Sequence, residues 1–185
     1  TAGLIGLINT LGPIGGAIFG FFYAPIVITG MHHSFTAVET QLLADIATTG
    51  GSFIFPVAAM SNVAQGAAAL SVLLVLKKDN KMKGIASASG ISALLGITEP
   101  AIFGVNLKLR YPFYGAMIGT AVSSAYIMLT KVLALAPGAA GLPGIISIRA
   151  DSMINYIIGM AISMAVAVAS TIILSKTTAK TTAKK

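Results

Sequence analysis

Cysteine is absent from this 185-residue sequence, so no disulfide, thiolate metal site or thiol nucleophile is available to it. Charge is scarce as well. Charged types make up 9 % of the chain, against about 25 % in an ordinary soluble domain. The acids number five: Glu39, Asp45, Asp79, Glu99 and Asp151. A water-soluble fold of this length needs many more charges to cover its surface. Four long stretches carry no Asp, Glu, Lys or Arg at all: residues 1–38, 46–76, 111–130 and 152–175. Each reaches or exceeds the roughly 20 residues that an α-helix needs to cross a hydrocarbon core about 30 Å thick. The first is too long for a secretory signal and lacks its basic leading segment. It starts at Thr1 rather than an initiator methionine, which points to a chain that begins inside a longer protein. What is present agrees with what is missing, since apolar types make up 56 % and the mean hydropathy is +0.90. These features predict an all-α integral membrane protein.

The net charge of +7 would suit a nucleic-acid binder, but the placement of the bases does not. Most fall in three clusters: Lys77, Lys78, Lys81 and Lys83; Lys108 and Arg110; and Lys176, Lys180, Lys184 and Lys185. Short basic loops mark the cytoplasmic side of a membrane protein. A span over 53–76 that ends inside at the first cluster leaves residues 84–105 to be placed. If they cross, the second cluster lies outside. If they dip in and return, both clusters lie inside. Spans over 113–135 and 153–174, joined by an external or interfacial loop at 137–151, then bring the last cluster inside too. Residues 84–105 also contain Gly90, Gly96, Pro100 and Gly104, and Pro100 disfavours helical dihedrals at Glu99. Broken backbone at membrane depth is tolerated where it is buried in protein or lines a wet cavity, and transporters bind substrates at such paired helix ends. The rival, a kinked span, misplaces Lys108 and Arg110. The expected architecture is thus about four transmembrane helices plus at least one re-entrant hairpin. The first span covers 4–29, where Gly12, Gly16 and Gly20 form a small-residue packing stripe. Residues 30–51 form a polar interruption, read as a second hairpin or an interfacial helix. Residues 176–185 read as a disordered, membrane-adjacent basic tail.

A carboxylate at the break of an apolar hairpin is expensive, so Glu99 is the first site candidate, with a structural cap as its plain alternative. Thr98 offers a hydroxyl beside it. His32 and His33 follow the first span; adjacent helical side chains point about 100° apart, so both are not expected to serve one site. They make a poor metal site, with only Glu39 near in sequence. Asn62 and Gln65 share a face of the second span with Ser61 nearby. They either bind neighbouring helices or line a solute path. Asp45 reads as a solvated loop residue, and Asp151 with Arg149 as a surface pair.

The motifs then resemble one family. The segment Gly96-Ile97-Thr98-Glu99-Pro100, running on through Asn106 and Arg110 to Phe113, is similar to the hairpin of the sugar-transporting enzyme IIC of the bacterial phosphotransferase system, glucose superfamily. Gly30-Met31-His32, the stretches 28–35 and 51–56, and Asn62-Val63-Ala64-Gln65-Gly66 resemble sucrose-specific members most, then trehalose and β-glucoside ones. The resemblance runs in order over residues 3–175. It implies that residues 1–175 are the C-terminal, substrate-binding half of a membrane domain of about ten spans, dimeric through its N-terminal half. It also implies uptake of sucrose with phosphorylation to sucrose 6-phosphate in a bacterial inner (cytoplasmic) membrane, with enzyme IIB and IIA domains supplying phosphate from a cysteine this chain lacks. Glu99 matches the family's sugar-contacting carboxylate, with a possible role as base, and His32 its histidine. His33 stands where sucrose-type members often carry Gln. Thr98, His33, Asn62, Gln65 and Asn106 complete the candidate substrate contacts. No cofactor, metal or nucleic acid is expected. The rival functions are an ion-coupled sugar transporter and a non-transporting membrane subunit.

Overall fold

The structure of the chain, a computed structural model, describes residues 11–76 and 79–182. Residues 4–10 of the first predicted span, and the bases Lys77, Lys78, Lys184 and Lys185, lie outside the described residues. The longer helical segments among the described residues run in order α1 Pro13–Ile28, α2 Ser34–Ala44, α3 Ile54–Val75, α4 Asn80–Leu94, α5 over 99–109, α6 Tyr111–Leu129 and α7 Met153–Thr182, with short turns at Met31–His33, Ile46–Thr49, Leu142–Ser147 and Ala150–Ser152 between them. Extended pairing among the described residues is confined to the isolated bridges Ser52–Ala134 and Ala134–Ile148. Among the described residues three helices are long and apolar enough to cross a membrane: α3, α6 and α7. The bend of 117° between Pro13–Ile28 and Met31–Ala44 makes a fourth candidate, as a broken span or a re-entrant loop. The all-α membrane architecture is as expected.

The packing follows from small residues. On α1, a Cβ at Gly16 would lie 2.7 Å from the Ser124 carbonyl of α6, and one at Gly20 would lie 2.9 Å from the Thr120 carbonyl. The predicted stripe therefore packs through these two; Gly12, with φ +51° and open space around it, sits ahead of Pro13 and starts the helix instead. A second pair, Gly115 and Gly119 of α6, lets α7 approach so closely that Cβ atoms there would meet Thr171 and Ser163–Ala167. A hydrogen bond from Ser163 Oγ to the Met60 carbonyl (2.8 Å) ties α7 to α3. The main apolar core lies at one end of the bundle, built on Phe19, Phe53, Ile54, Met60, Ile127 and Tyr156. Phe35 of α2 reaches Phe19 edge-on at 5.4 Å, and with Val38 and Leu42 it forms the apolar stripe of that helix. Glu39 on α2 accepts from Ser52 Oγ (2.9 Å), which itself accepts from the Ile54 N–H (3.2 Å), so α2 also caps the start of α3.

Segments α4 and α5 form a helical hairpin where the sequence predicts a re-entrant one. Asp79 caps α4 by accepting from the Met82 N–H at 2.9 Å. The chain turns at 95–98, and α5 returns antiparallel: a Cβ on Gly104 would sit 3.5 Å from Ile85 Cγ2. Lys81 and Lys83 therefore lie at the same end as Lys108 and Arg110, as the charge pattern requires. Within α5, residues Ile102–Asn106 form a π-turn, with the Leu107 N–H donating to the Ile102 carbonyl. Arg110, at φ +63°, breaks the backbone before α6.

Three expectations change. The third span ends at Leu129 rather than 135, where Lys131 takes φ +52° and the chain turns into the bridge at Ala134. The stretch after 137 is not a free outer loop, because residues 140–148 turn back into the bundle, with Gly141, Gly144, Ser147 and Ile148 buried. The last helix runs on to Thr182, so 176–182 are helical rather than disordered. Threonine, a weak helix former, dominates this stretch, but the apolar span has already nucleated the helix, and the Thr177 and Thr178 hydroxyls donate back to the Ile173 (3.3 Å) and Leu174 (3.0 Å) carbonyls.

Candidate functional site

Two chain reversals meet at one place. The first is the bend after α1: Gly30 takes φ +75°, Met31–His33 form a single 3-10 turn, and α2 leaves at a steep angle. The second is the tip of the hairpin. Val27 and Ile28 from the first pack in one cluster with Ile102 of α5, beside Ala24, Phe113 and Met117. This packs the end of α1, which leads into His32, against the helix that Glu99 opens.

Each side chain has a local cause. The turn at 95–98 closes on itself: the Ile97 N–H donates to the Ser92 carbonyl (3.0 Å), and Ser92 Oγ donates back to the Ile97 carbonyl (3.1 Å). Gly96, at φ +108°, is the residue that makes the reversal possible. Glu99 and Pro100 then open α5, with Thr98 as the residue before it. Thr98 is buried, but Glu99 is exposed. Within this chain Glu99 stands on the open face of the tip, and the hydroxyl beside it takes the buried position. Its two oxygens are free to accept from two hydroxyls at once.

The His32 ring lies beside the Val27 carbonyl, and its Nδ1 is buried with no hydrogen-bond partner among the described residues. His33 is exposed, yet its ring centroid lies 4.0 Å from that of His32. The two rings thus lie together, their planes at 37°, although a 3-10 turn sets adjacent side chains about 120° apart. Among the described residues no group of three or more metal-ligating side chains forms.

The amides separate from this site. Asn62 of α3 donates to the carbonyls of Gly96 (3.4 Å) and Ala140 (3.1 Å). Asn106 of α5 donates to Gln65 at its carbonyl (3.0 Å) and at Oε1 (2.6 Å), and both residues are fully buried. Gln65 and Asn106 therefore face each other rather than a solute path. Asp151 pairs with Arg149 at 2.7 Å on the surface, as expected. A cavity of about 490 Å³ lies at the opposite end from the basic loops, lined by Leu42, Thr49, Phe53, Met128, Lys131 and Leu133 among others. Neither His32 nor Glu99 borders it, so it is not the site that the two reversals form. Reading the sequence missed Tyr156, whose fully buried ring carries a hydroxyl that donates to the Gly141 carbonyl at 2.8 Å. A lone tyrosine near the start of an apolar span carries no signal that would have found it.

Comparison with known proteins adds a family. The model described as phosphotransferase system, EIIC, matches residues 1–121. The sucrose-specific EIIBC component of Vibrio alginolyticus is 69 % identical over 158 residues, covering 85 % of this chain and 33 % of that protein. The sucrose-specific EIIBC component of Pasteurella multocida is 66 % identical over 160 residues, covering 86 % and 34 %. The trehalose-specific EIIBC component of Bacillus subtilis is 48 % identical over 161 residues, covering 87 % and 34 %. This chain thus spans about a third of the length of the curated relatives it matches. No solved structure matches it.

Proposed function

This chain belongs to the phosphotransferase system EIIC family, and we propose that it is the sugar-binding and translocating part of a permease that takes up sucrose and releases it inside as sucrose 6-phosphate. The observation that carries this reading is the packing of the first reversal, which leads into His32, against the helix that Glu99 opens. A neutral disaccharide is recognised by hydrogen bonds, and a carboxylate that accepts from two hydroxyls is a strong and directional partner. Glu99 holds the sugar, His32 orients it, and Thr98 and His33 border the same place. Residues 1–175 act as the C-terminal half of the membrane domain, and the remainder of the permease closes the open face of Glu99 and supplies the dimer contact.

The phosphoryl donor is a phosphocysteine on an enzyme IIB domain, charged in turn by a IIA domain; the names of the relatives, EIIBC, join a IIB part to the IIC part. The S–P bond breaks as an O–P bond forms at the 6-hydroxyl of the glucosyl ring, and the hydroxyl proton passes to a base, for which Glu99 is the candidate. Such transfer depends chiefly on positioning. The permease works in the inner membrane of a bacterium, with the basic loops inside. Trehalose is the second reading, because a trehalose-specific relative shares nearly half its residues with this chain, though it is the least similar of the three.

The test is uptake by the whole permease carrying Glu99→Gln or His32→Gln. Each substitution is expected to raise the KM for sucrose about 10- to 100-fold, the loss that follows from a hydrogen bond to a charged group worth about 1.5–3 kcal/mol. A KM near that of the parent in both variants overturns the assignment. Uptake that persists without phosphoenolpyruvate favours an ion-coupled transporter instead, and absence of any sugar uptake a non-transporting subunit. Competition between sucrose, trehalose and a β-glucoside decides the substrate.

A further inference from the structure

The tip that bears Thr98 and Glu99 is held by more than its own turn. Asn62, from the middle of α3, sends its amide to two carbonyls that belong to segments far apart in the chain: Gly96 at the tip and Ala140 in the segment that turns back from the far end of the bundle. The two segments are seated on each other without room for side chains. A Cβ on Gly96 would strike the Ala140 carbonyl, and one on Gly141, at φ +128°, would lie 2.6 Å from the Leu94 carbonyl. From the other side Tyr156 of α7 donates to the Gly141 carbonyl at 2.8 Å. Residues 140–144 are thus clamped between α3 and α7 and pressed onto the tip. At this depth a backbone carbonyl left without a donor is costly, so the amide and the phenol supply what the broken backbone lacks.

We infer that Asn62 is a positioning residue for the sugar site: it fixes the hairpin tip against residues 140–144 and so sets where Glu99 stands, without touching the sugar itself. The inference rests on the reading of Glu99 as the sugar-holding carboxylate. It assigns to the loop after 137 the role of a fixed seat for the tip, and it gives Tyr156 a supporting part through Gly141. A residue that merely helps the chain assemble lowers the amount of working permease, and with it the maximal rate, at an unchanged KM. A residue that positions the carboxylate changes the KM.

Sucrose uptake by the whole permease distinguishes these. Asn62→Asp keeps the shape but turns two donors into an anion facing two carbonyl oxygens. It is expected to raise the KM at least about tenfold, by the loss of two hydrogen bonds to groups that then stay buried. Asn62→Gln, which keeps the donors on a longer stem, recovers part of that loss. Tyr156→Phe removes one hydroxyl from the same seat, keeps the ring and is expected to raise the KM a few-fold. A lowered maximal rate at unchanged KM in Asn62→Asp overturns the inference. If Asn62→Asp does not reach the membrane, Tyr156→Phe decides alone, and an unchanged KM there overturns it. Glu99→Gln is measured alongside. If it leaves the KM unchanged, the reading of the sugar site fails, and the inference falls with it; if it raises the KM while the Asn62 and Tyr156 variants do not, only the inference fails.

Discussion

Asn106 and Gln65 show how a polar pair behaves where water is excluded. Asn106 donates twice to Gln65, yet Gln65 Nε2 and Asn106 Oδ1 remain buried without partners. Replacing one member by an apolar residue strands the other. Asn106→Leu or Gln65→Leu alone is therefore expected to destabilise the folded protein by about 1–3 kcal/mol, while the double replacement recovers most of the loss. Denaturant unfolding of the purified permease in detergent checks this; additive losses in the double variant contradict the pairing. At this scale the sequence was only partly legible. The position of Glu99 beside Pro100 announced a break, and the break is there. The roles of the amides were not, because a mid-span Asn or Gln has the same appearance in sequence whether it binds a helix, a loop or a solute. The exposure of Glu99 was hidden for a related reason: Thr98 and Glu99 are neighbours, and only the geometry of the turn decides which one is buried.

Elements differ in how strongly their glycines are constrained. Gly20 of α1 faces Ser124 and the Thr120 carbonyl of α6 with no space for a side chain. Gly84 of α4 has nothing within 4 Å. Gly20→Val is thus expected to cost about 1–3 kcal/mol through overpacking, whereas Gly84→Ala is neutral or stabilising by up to about 1 kcal/mol through helix propensity. Thermal unfolding of the two variants side by side is the check, and equal effects would rule out this account of the α1–α6 contact. The span boundaries of α3 and the hairpin were readable from hydropathy and from Pro100. The end of α6 was not, because residues 132–135 are apolar again after Lys131, which turns the chain into a bridge that no period in the sequence announces. The glycines of α6 at 115 and 119 carry the same spacing as the stripe on α1 and lay unread beside it.

For the whole molecule the charge pattern was the most informative feature, because the energy of moving a lysine across a membrane acts over the full chain rather than locally. The hairpin puts Lys81 and Lys108 at one end, and the length of α6 puts Lys131 at the other. Single replacements Lys81→Cys and Lys108→Cys, in a permease whose cysteines outside this chain are first replaced by serine, are expected to react with an impermeant maleimide from the same face of the membrane, and Lys131→Cys from the opposite face. Labelling of the first two from opposite faces would require α4 and α5 to cross. The two reversals carry one more consequence. Each brings the carboxyl end of one helix, α1 or α4, next to the amino end of another, α2 or α5. An aligned helix presents about half a positive elementary charge at its amino end and half a negative one at its carboxyl end. Where the two reversals pack together, half-charges of opposite sign offset one another, so the backbone there adds local polarity with little net field. Backbone polarity of that kind suits an uncharged, hydroxyl-rich guest and leaves the formal charge of the site to the Glu99 side chain.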